Sequence, residues 1–177
     1  MPFDPEEAVY LRELERDLRK VEDWPLDSPL AFVIHLAPRT RGSLGERLIS
    51  KIAEKVGVAC RPSGSSDFDT VVGRRSGETK IEVKFSTEVP PRFQQVRDPR
   101  RQGRMKYDAV VCASGRPEGL VYWVLRAADV AALIDAGEVK VQHQDSNTHW
   151  FFPSREGVDR FTPFRKNFQQ LKDWMTS

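Results

Sequence analysis

Two acidic residues and a lysine within Ser66–Ser86 have a spacing that suits metal-dependent hydrolysis. The segment predicts a β-hairpin with strands over Asp69–Val72 and Lys80–Phe85, because alternating apolar residues flank a turn-forming stretch. Side chains alternate between the two faces of a strand, so Glu82 and Lys84 are expected on one face. The preceding strand contributes an acid of its own. The pattern therefore predicts a cluster of charged groups on one side of the hairpin.

The register of this hairpin decides how close its two carboxylates lie. A four-residue loop over residues 74–77 pairs Val72 with Thr79 and places Asp69 directly opposite Glu82. Directly opposed residues have Cβ atoms about 4.5–5.5 Å apart, a distance at which two carboxylates repel each other. A divalent cation removes that repulsion, and Mg²⁺ typically takes one or two carboxylate ligands. Asp69 and Glu82 are therefore the candidate metal ligands for Mg²⁺, with Mn²⁺ able to substitute.

Lys84 is the candidate catalytic cation. On the face of Glu82, its ammonium would reach an attacking water or a phosphate oxygen and offset the charge that develops during phosphodiester hydrolysis. A solvent-facing strand with a routine Glu–Lys pattern is the competing explanation, since 31% of the residues are charged. Asp67 competes with Asp69 for the position of the first carboxylate. Asp69 is favoured because the apolar run follows it directly.

The surrounding elements predict a single α/β domain over residues 1–177, with a central mixed β-sheet flanked by helices. An N-terminal helical part (1–42) precedes a catalytic core (43–125), and helices and strands (126–177) follow. Further strands are expected at Ala109–Ala113, Leu120–Leu125, Glu138–Gln142 and His149–Phe152, and further helices at Ala127–Ala136 and near Phe164–Met175.

The N-terminal part predicts a helix that ends before Pro25, and then an apolar run. Residues 30–36 suit either a buried helix or a strand, with His35 expected inside. After a loop, Ser43 is expected to cap the next helix, which places Glu46 in its first turn. A glutamate is also favoured near a helix N-terminus for electrostatic reasons. A catalytic role and a purely structural role for Glu46 both stay open.

Asp69-Thr-Val-Val and Ile81-Glu82-Val83-Lys84 resemble the D…(D/E)xK signature of the PD-(D/E)XK nuclease superfamily, which has the restriction-endonuclease-like fold. The order of elements is similar from Ser43 to about Leu125. The resemblance implies hydrolysis of DNA phosphodiester bonds by Asp69, Glu82 and Lys84, and Glu46 stands where some members contribute an acid. No proline precedes Asp69, a position that varies in the superfamily. The Gln-x-x-x-Tyr motif of RecB-like relatives is absent, which argues against that branch.

Small restriction endonucleases of this superfamily commonly act as homodimers on palindromic sites. A two-fold protein matched to a two-fold site lets one small subunit type cut both strands. The resemblance leaves the branch of the superfamily open, and the small size of the chain favours a sequence-specific type II restriction endonuclease acting on double-stranded DNA. Two alternatives stay open: a structure-selective repair or recombination nuclease, and a DNA-binding domain that has lost activity.

Positive charge is concentrated in residues 92–106, where six basic residues stand against one acid. Such a concentration in a chain of net charge +2 indicates a local anionic partner, although a solvated arginine-rich loop would look the same. The candidate DNA-binding residues here are Arg92, Arg97, Arg100, Arg101, Arg104 and Lys106. Asn147 and His149 belong to a second polar set that could contact bases, and ordinary surface polarity explains either one equally well.

Composition favours a cytoplasmic protein. The two cysteines, Cys60 and Cys112, are far apart in sequence and form no CxxC pair, which disfavours a disulfide framework or a zinc site. No apolar run approaches the roughly 20 residues of a membrane helix. The first residues do not follow the pattern of a secretory signal.

Overall fold

The computed structural model describes residues 24–25, 27–101, 104–143 and 146–177. The helix expected before Pro25 lies outside these residues. The α-helices are α1 (Pro38–Lys55), α2 (Ala127–Asp135) and α3 (Phe168–Thr176), with short 3-10 helices at Ala31–His35 and Thr162–Phe164. The strands are β1 (Cys60–Pro62), β2 (Thr70–Arg74), β3 (Gly77–Ser86), β4 (Phe93–Arg97), β5 (Arg100–Arg101), β6 (Arg104–Met105), β7 (Ala109–Arg116), β8 (Gly119–Arg126), β9 (Lys140–Val141), β10 (Thr148–Phe151) and β11 (Arg165–Lys166).

A mixed six-stranded sheet with the order β1-β2-β3-β7-β8-β11 organises the fold. Strands β3 and β7 pair in parallel, whereas the other neighbours in this sheet are antiparallel. The parallel pair lies at the centre, and β7 is buried along nearly its whole length. Apolar residues without alternation are typical of a strand covered on both faces. The expected α/β class with a central mixed sheet is confirmed.

Two separate cores cover the two faces of this sheet. Helices α1 and α3 pack on one face through apolar side chains such as Ile49, Leu171 and Met175. On the other face, α2 and a smaller sheet of order β4-β10-β9 pack around Trp123 and Tyr107. Successive side chains of the buried part of β3 therefore point alternately into one core and the other. Two charged residues of β3, Glu82 and Lys84, share that crowded environment.

Helix α1 begins at Pro38, earlier than the expected capping residue Ser43. Proline is well suited to the first helical position, since its missing N–H has no partner there and its φ is already helical. The Ser43 hydroxyl instead donates to the Thr40 carbonyl inside the helix. Glu46 consequently lies in the third turn of α1, so attraction to the helix N-terminus does not explain its presence. The expected cap was wrong.

Gly45 lets α1 approach β3 very closely. A Cβ atom at this position would lie 3.0 Å from the Cβ of Phe85 and 3.1 Å from Cγ1 of Val83. Both distances are shorter than ordinary van der Waals contacts. A helix with any larger residue there would sit farther from the sheet. Glu46, the next residue, is therefore held at the level of β3.

Most other expected elements are confirmed, with shifted ends. The hairpin, β7, β8, α2 and α3 lie where the sequence placed them, whereas β9 is only two residues long. The apolar run at 30–36 forms a 3-10 helix that buries Val33, and His35 is exposed rather than inside. The domain divisions at residues 42 and 125 stay a prediction, although α1 runs through the first of them. Across the described ranges, none of the helices has the length and apolar character needed to cross a bilayer.

We expect Leu171→Ala to destabilise the protein by about 2–5 kcal/mol, because it leaves a cavity beneath α3. Leu171 is fully buried in the core shared by α1 and α3. The measurement is urea denaturation followed by circular dichroism. Gln169→Ala, at an exposed position of the same helix, is the matched control and should change the unfolding free energy by no more than about 0.5 kcal/mol. Equal effects of both substitutions would contradict this packing of α3.

Candidate active site

The β2–β3 hairpin has the expected register but a tighter turn. Val72 pairs with Thr79 as predicted, and pairing continues to Arg74 and Gly77, which leaves a two-residue connection. The ladder stops at Thr70, one residue short of Asp69. Strand β3 continues well beyond this point, so its outer edge lies open there. Asp69 stands at the opening.

The carboxylate of Asp69 occupies this open edge. Its Oδ2 accepts a hydrogen bond of 2.7 Å from the backbone N–H of Val83. The backbone N–H of Asp69 donates to the Ile81 carbonyl at 2.9 Å, not to the carbonyl of Glu82. The sequence had predicted that Asp69 is the strand partner of Glu82, and this pairing was wrong. Asp69 is instead held beside Glu82 by hydrogen bonds to the backbone of β3. One backbone hydrogen bond from β3 thus orients the carboxylate.

Glu82 is buried, with only 2% of its surface exposed. Its Oε1 lies 2.6 Å from Nζ of Lys84, which confirms that the two side chains share a face of β3. Its Oε2 is buried and has no hydrogen-bond partner among the described residues. A solvent-facing strand with an incidental Glu–Lys pattern is therefore the wrong explanation. The site contains a buried carboxylate that is only half satisfied.

Burial raises the pKa of Glu82. The charge of Lys84 opposes this shift, and the negative charge of Asp69 adds to it. Burial is the larger influence, because a carboxylate loses its hydration when it is enclosed by protein. Burial also raises the pKa of Tyr107, and the negative charge of Glu82 raises it further. A positive charge in addition to Lys84 would stabilise this carboxylate.

Glu46 joins the site from the opposite side of the sheet edge. An open cleft of about 450 Å³ is lined by Gly42, Glu46, Asp69, Val83, Lys84, Phe85, Gln94 and Gln95. Burial raises the pKa of Glu46, and the nearby charge of Asp69 raises it further. Three of the four candidate catalytic residues therefore line the cleft, and the fourth, Glu82, is buried beside it in contact with Lys84. Asp67 lies outside this cleft, with its carboxylate 3.5 Å from the ammonium of Lys106.

The residues present fit a divalent cation. Carboxylate oxygens are the ligands that Mg²⁺ prefers. The Oε2 atom of Glu82, which accepts no hydrogen bond among the described residues, would be available as such a ligand. Within the described ranges no group of three or more His, Cys, Asp and Glu side chains has the arrangement of a metal site. Mg²⁺ does not need such a group, because it usually keeps several waters and one or two carboxylates. Asp69 and Glu82 would hold it.

Several candidate DNA-binding residues are already paired with acids. Arg92 lies 2.7 Å from the carboxylate of Glu88 and also stacks on Trp150, 4.8 Å from the ring centroid. Arg100 forms ion pairs with Asp98 at 3.0 Å and Asp135 at 2.8 Å. Acids from outside this segment, Glu88 and Asp135, therefore neutralise part of the positive charge that was counted along the sequence.

The remaining cations of the segment differ in their surroundings. Arg97 donates to the carbonyl of Ser66, and Lys106 faces Asp67. Arg104 is exposed and has no ion pair within the part of the chain that the structure describes. Arg101 belongs to β5, and its side chain lies outside the described residues. Arg104 is thus the cation of this segment that is best placed to meet an anion.

His149 is buried, which contradicts its expected contact with DNA. Strand alternation in β10 turns His149 and Phe151 toward the core and Trp150 away from it. Burial lowers the pKa of His149 against the opposing influence of Asp98. Asn147 is exposed at the entrance to β10, where its backbone carbonyl accepts from the N–H of Asp98 at 2.8 Å. Neither residue lines the catalytic cleft.

The sequence reasoning missed Gln94 and Gln95 as site residues. Both line the cleft, although they belong to the smaller sheet rather than to the hairpin. The available signal was two consecutive polar residues between the buried Phe93 and Val96. A regular strand alternates, so a doubled polar position indicates an inserted residue.

Comparisons with known proteins show a similar fold but no sequence relative. No protein family matches this sequence, and no curated protein matches it either. A bacterial homing endonuclease is similar in structure, with a TM-score of 0.50 at 12% identity over 78% of this chain and 95% of that chain. A Holliday junction resolvase from Archaeoglobus fulgidus has a TM-score of 0.43 at 14% identity, over 75% of this chain and 96% of that chain.

Glu82→Gln should stabilise the metal-free protein at pH 8, by on the order of 1 kcal/mol. The raised pKa means that the folded state holds this proton more readily than the unfolded state. Ionised Glu82 therefore costs folding free energy above its folded pKa, and the cost disappears as the pH falls toward the ordinary value of 4.5. The advantage of the variant should shrink accordingly.

The measurement is urea unfolding of both proteins in EDTA between pH 8 and pH 5. Glu78→Gln, on the exposed part of β3, is the control and should show no comparable trend. A Glu82→Gln protein that is less stable than the parent at pH 8 would contradict the assigned cost of burial.

Proposed function

We propose that this chain is a metal-dependent DNA endonuclease that hydrolyses phosphodiester bonds of double-stranded DNA. The observation that carries the proposal is the geometry at the open edge of β3. There the carboxylate of Asp69 is fixed by the Val83 N–H, beside the buried Glu82–Lys84 pair. The fold similarity to a homing endonuclease supports the same reaction class.

Asp69 and Glu82 bind the cation in this proposal. When bound, Mg²⁺ or Mn²⁺ would polarise the phosphodiester and lower the pKa of an attacking water. The backbone hydrogen bond to Asp69 keeps one ligand in place before the cation arrives, which reduces the ordering cost of binding. Burial makes Glu82 a ligand that gains from a second positive charge nearby.

Lys84 stabilises negative charge on the reacting phosphate. Its side chain lines the cleft and is only 19% exposed, and this partial burial strengthens its electrostatic interactions. In the absence of DNA it pairs with Glu82 at 2.6 Å. Glu46, whose pKa is raised by burial and by Asp69, is placed to accept or release the proton of the attacking water. The four side chains then divide three tasks: cation binding, charge stabilisation and proton transfer.

The finer proposal is a type II restriction endonuclease that acts as a homodimer. In this proposal a second copy of the chain, related by a two-fold axis, supplies the catalytic cleft for the other strand of a palindromic site. Arg104 and the neighbouring cations would contact the phosphate backbone. These assignments extend the sequence resemblance and rest on the proposed chemistry.

Asp69→Asn and Glu82→Gln should each abolish cleavage of supercoiled plasmid in Mg²⁺, because each removes a ligand charge. EDTA should have the same effect on the unaltered protein, and Mn²⁺ should restore activity. The measurement is gel electrophoresis of plasmid DNA over time. Discrete fragments would indicate a restriction enzyme, whereas cutting of branched DNA alone would contradict the finer proposal.

The matched control is Asp67→Asn, which alters an acid outside the cleft and should retain cleavage. Full activity of the unaltered protein in EDTA would overturn the metal assignment. Lys84→Ala should lower turnover by orders of magnitude, but it also leaves the buried Glu82 without its partner. Its melting temperature must be measured in parallel, and assays run well below it.

Arg104→Ala should reduce the salt dependence of DNA binding more than Arg100→Ala does. One lost phosphate contact lowers the slope of log K against log salt by about 0.9. Arg100 is neutralised by Asp98 and Asp135, so its removal should change the slope less. The measurement is fluorescence anisotropy of a labelled duplex over a salt series in EDTA. Equal slopes for the two variants would show that these ion pairs open on binding.

A further inference from the structure

A β-bulge in β4 forms one wall of the catalytic cleft. Val96 pairs with His149 and Phe93 pairs with Phe151, so three steps along β4 match two steps along β10. One residue is therefore extra on β4. Gln94 and Gln95, which lie between the two pairs, are both exposed and both line the cleft.

Gln95 adopts a left-handed backbone conformation, with φ of +56°. Such a conformation is unfavourable for residues with a Cβ and costs nothing for glycine. The side-chain oxygen of Gln142 accepts from the Gln95 N–H at 2.7 Å. The backbone N–H of Gln142 in turn donates to the Thr148 carbonyl at 2.9 Å. The bulge is thus held by Gln142, the residue that follows β9. Glutamine adds only its side chain to a position that glycine would occupy more easily.

The outward side of the smaller sheet carries a basic and aromatic surface next to this bulge. Trp150 faces away from the core, with Arg92 stacked on it, and it pairs across the sheet with Lys140. Lys140 also lies 5.8 Å from the ring of Phe152. Arg92 is paired with Glu88, whereas Lys140 has no ion pair among the described residues, so the positive charge of Lys140 would attract the phosphate backbone.

We infer that Gln95 is a specificity-determining residue whose side-chain amide reads the edge of the base next to the cleaved bond, with a preference for adenine. Successive nucleotides of one strand rise by about 3.4 Å, so a residue lining the catalytic cleft lies within reach of that base. Glutamine can form two hydrogen bonds with adenine in the major groove. The inference rests on the proposed nuclease function and names a determinant of its specificity.

The test compares Gln95→Gly with the unaltered protein on a randomised duplex DNA library. The library is cut in Mg²⁺ and the fragment ends are sequenced. The unaltered protein should enrich adenine at one position beside the cut, and Gln95→Gly should lower that enrichment by about 5- to 150-fold at this position alone. The variant should also melt about 2–4 °C higher, because glycine relieves the backbone strain. A merely structural role would give higher stability without altered sequence preference.

A second readout keeps the inference separate from the nuclease proposal. The same library is selected by binding in EDTA, using the Asp69→Asn protein with and without Gln95→Gly. Loss of the adenine preference in binding supports the role of Gln95 even if nothing is cut. Gln95→Asn, which keeps an amide and tolerates this backbone conformation, should retain part of the preference. An unchanged base preference, or a uniform loss at all positions, would overturn the inference.

Discussion

The hydrogen bond from the Val83 N–H to the carboxylate of Asp69 is the interaction on which the site depends. Strand β2 begins at Thr70, opposite Ile81, while β3 continues from Ile81 to Ser86, which leaves backbone groups of β3 without β2 as a neighbour. Unpaired backbone N–H groups near the interior are costly. Asp69 satisfies one of them with its side chain. The point at which β2 begins thereby creates the opening of the cleft and leaves the oriented carboxylate of Asp69 at its rim.

Close packing on both faces of β3 supplies the rest of the site. Gly45 allows α1 to lie against β3, which brings Glu46 to the sheet edge. On the other face, the smaller sheet and Tyr107 enclose Glu82, and their apolar surroundings raise its pKa. Burial of the ionised carboxylate therefore destabilises the folded state, and binding of a cation would offset this cost. The two cores position the site as much as the hairpin does.

The sequence predicted the parts of the site that follow from local periodicity. Alternation along β3 correctly placed Glu82 and Lys84 on one face, and the register between Val72 and Thr79 was right. Features set by contacts distant in sequence could not be predicted. Arg100 finds Asp135 across the surface, so a local count of charge overestimated the free positive charge. His149 was assigned to the surface because its inward direction depends on which face of β10 meets the core.

The side chains that we propose as catalytic and the glutamine bulge depend on different sheets, and this separation has an evolutionary consequence. The reacting groups are set by α1 and the β2–β3 hairpin, whereas the bulge depends on pairing between β4 and β10. Substitutions at exposed positions of the smaller sheet leave the core packing of the larger one untouched. Descendants of this chain could therefore diversify along one sheet by gradual drift while the other stays under purifying selection. Such a division allows a lineage to change what it recognises without first losing what it does.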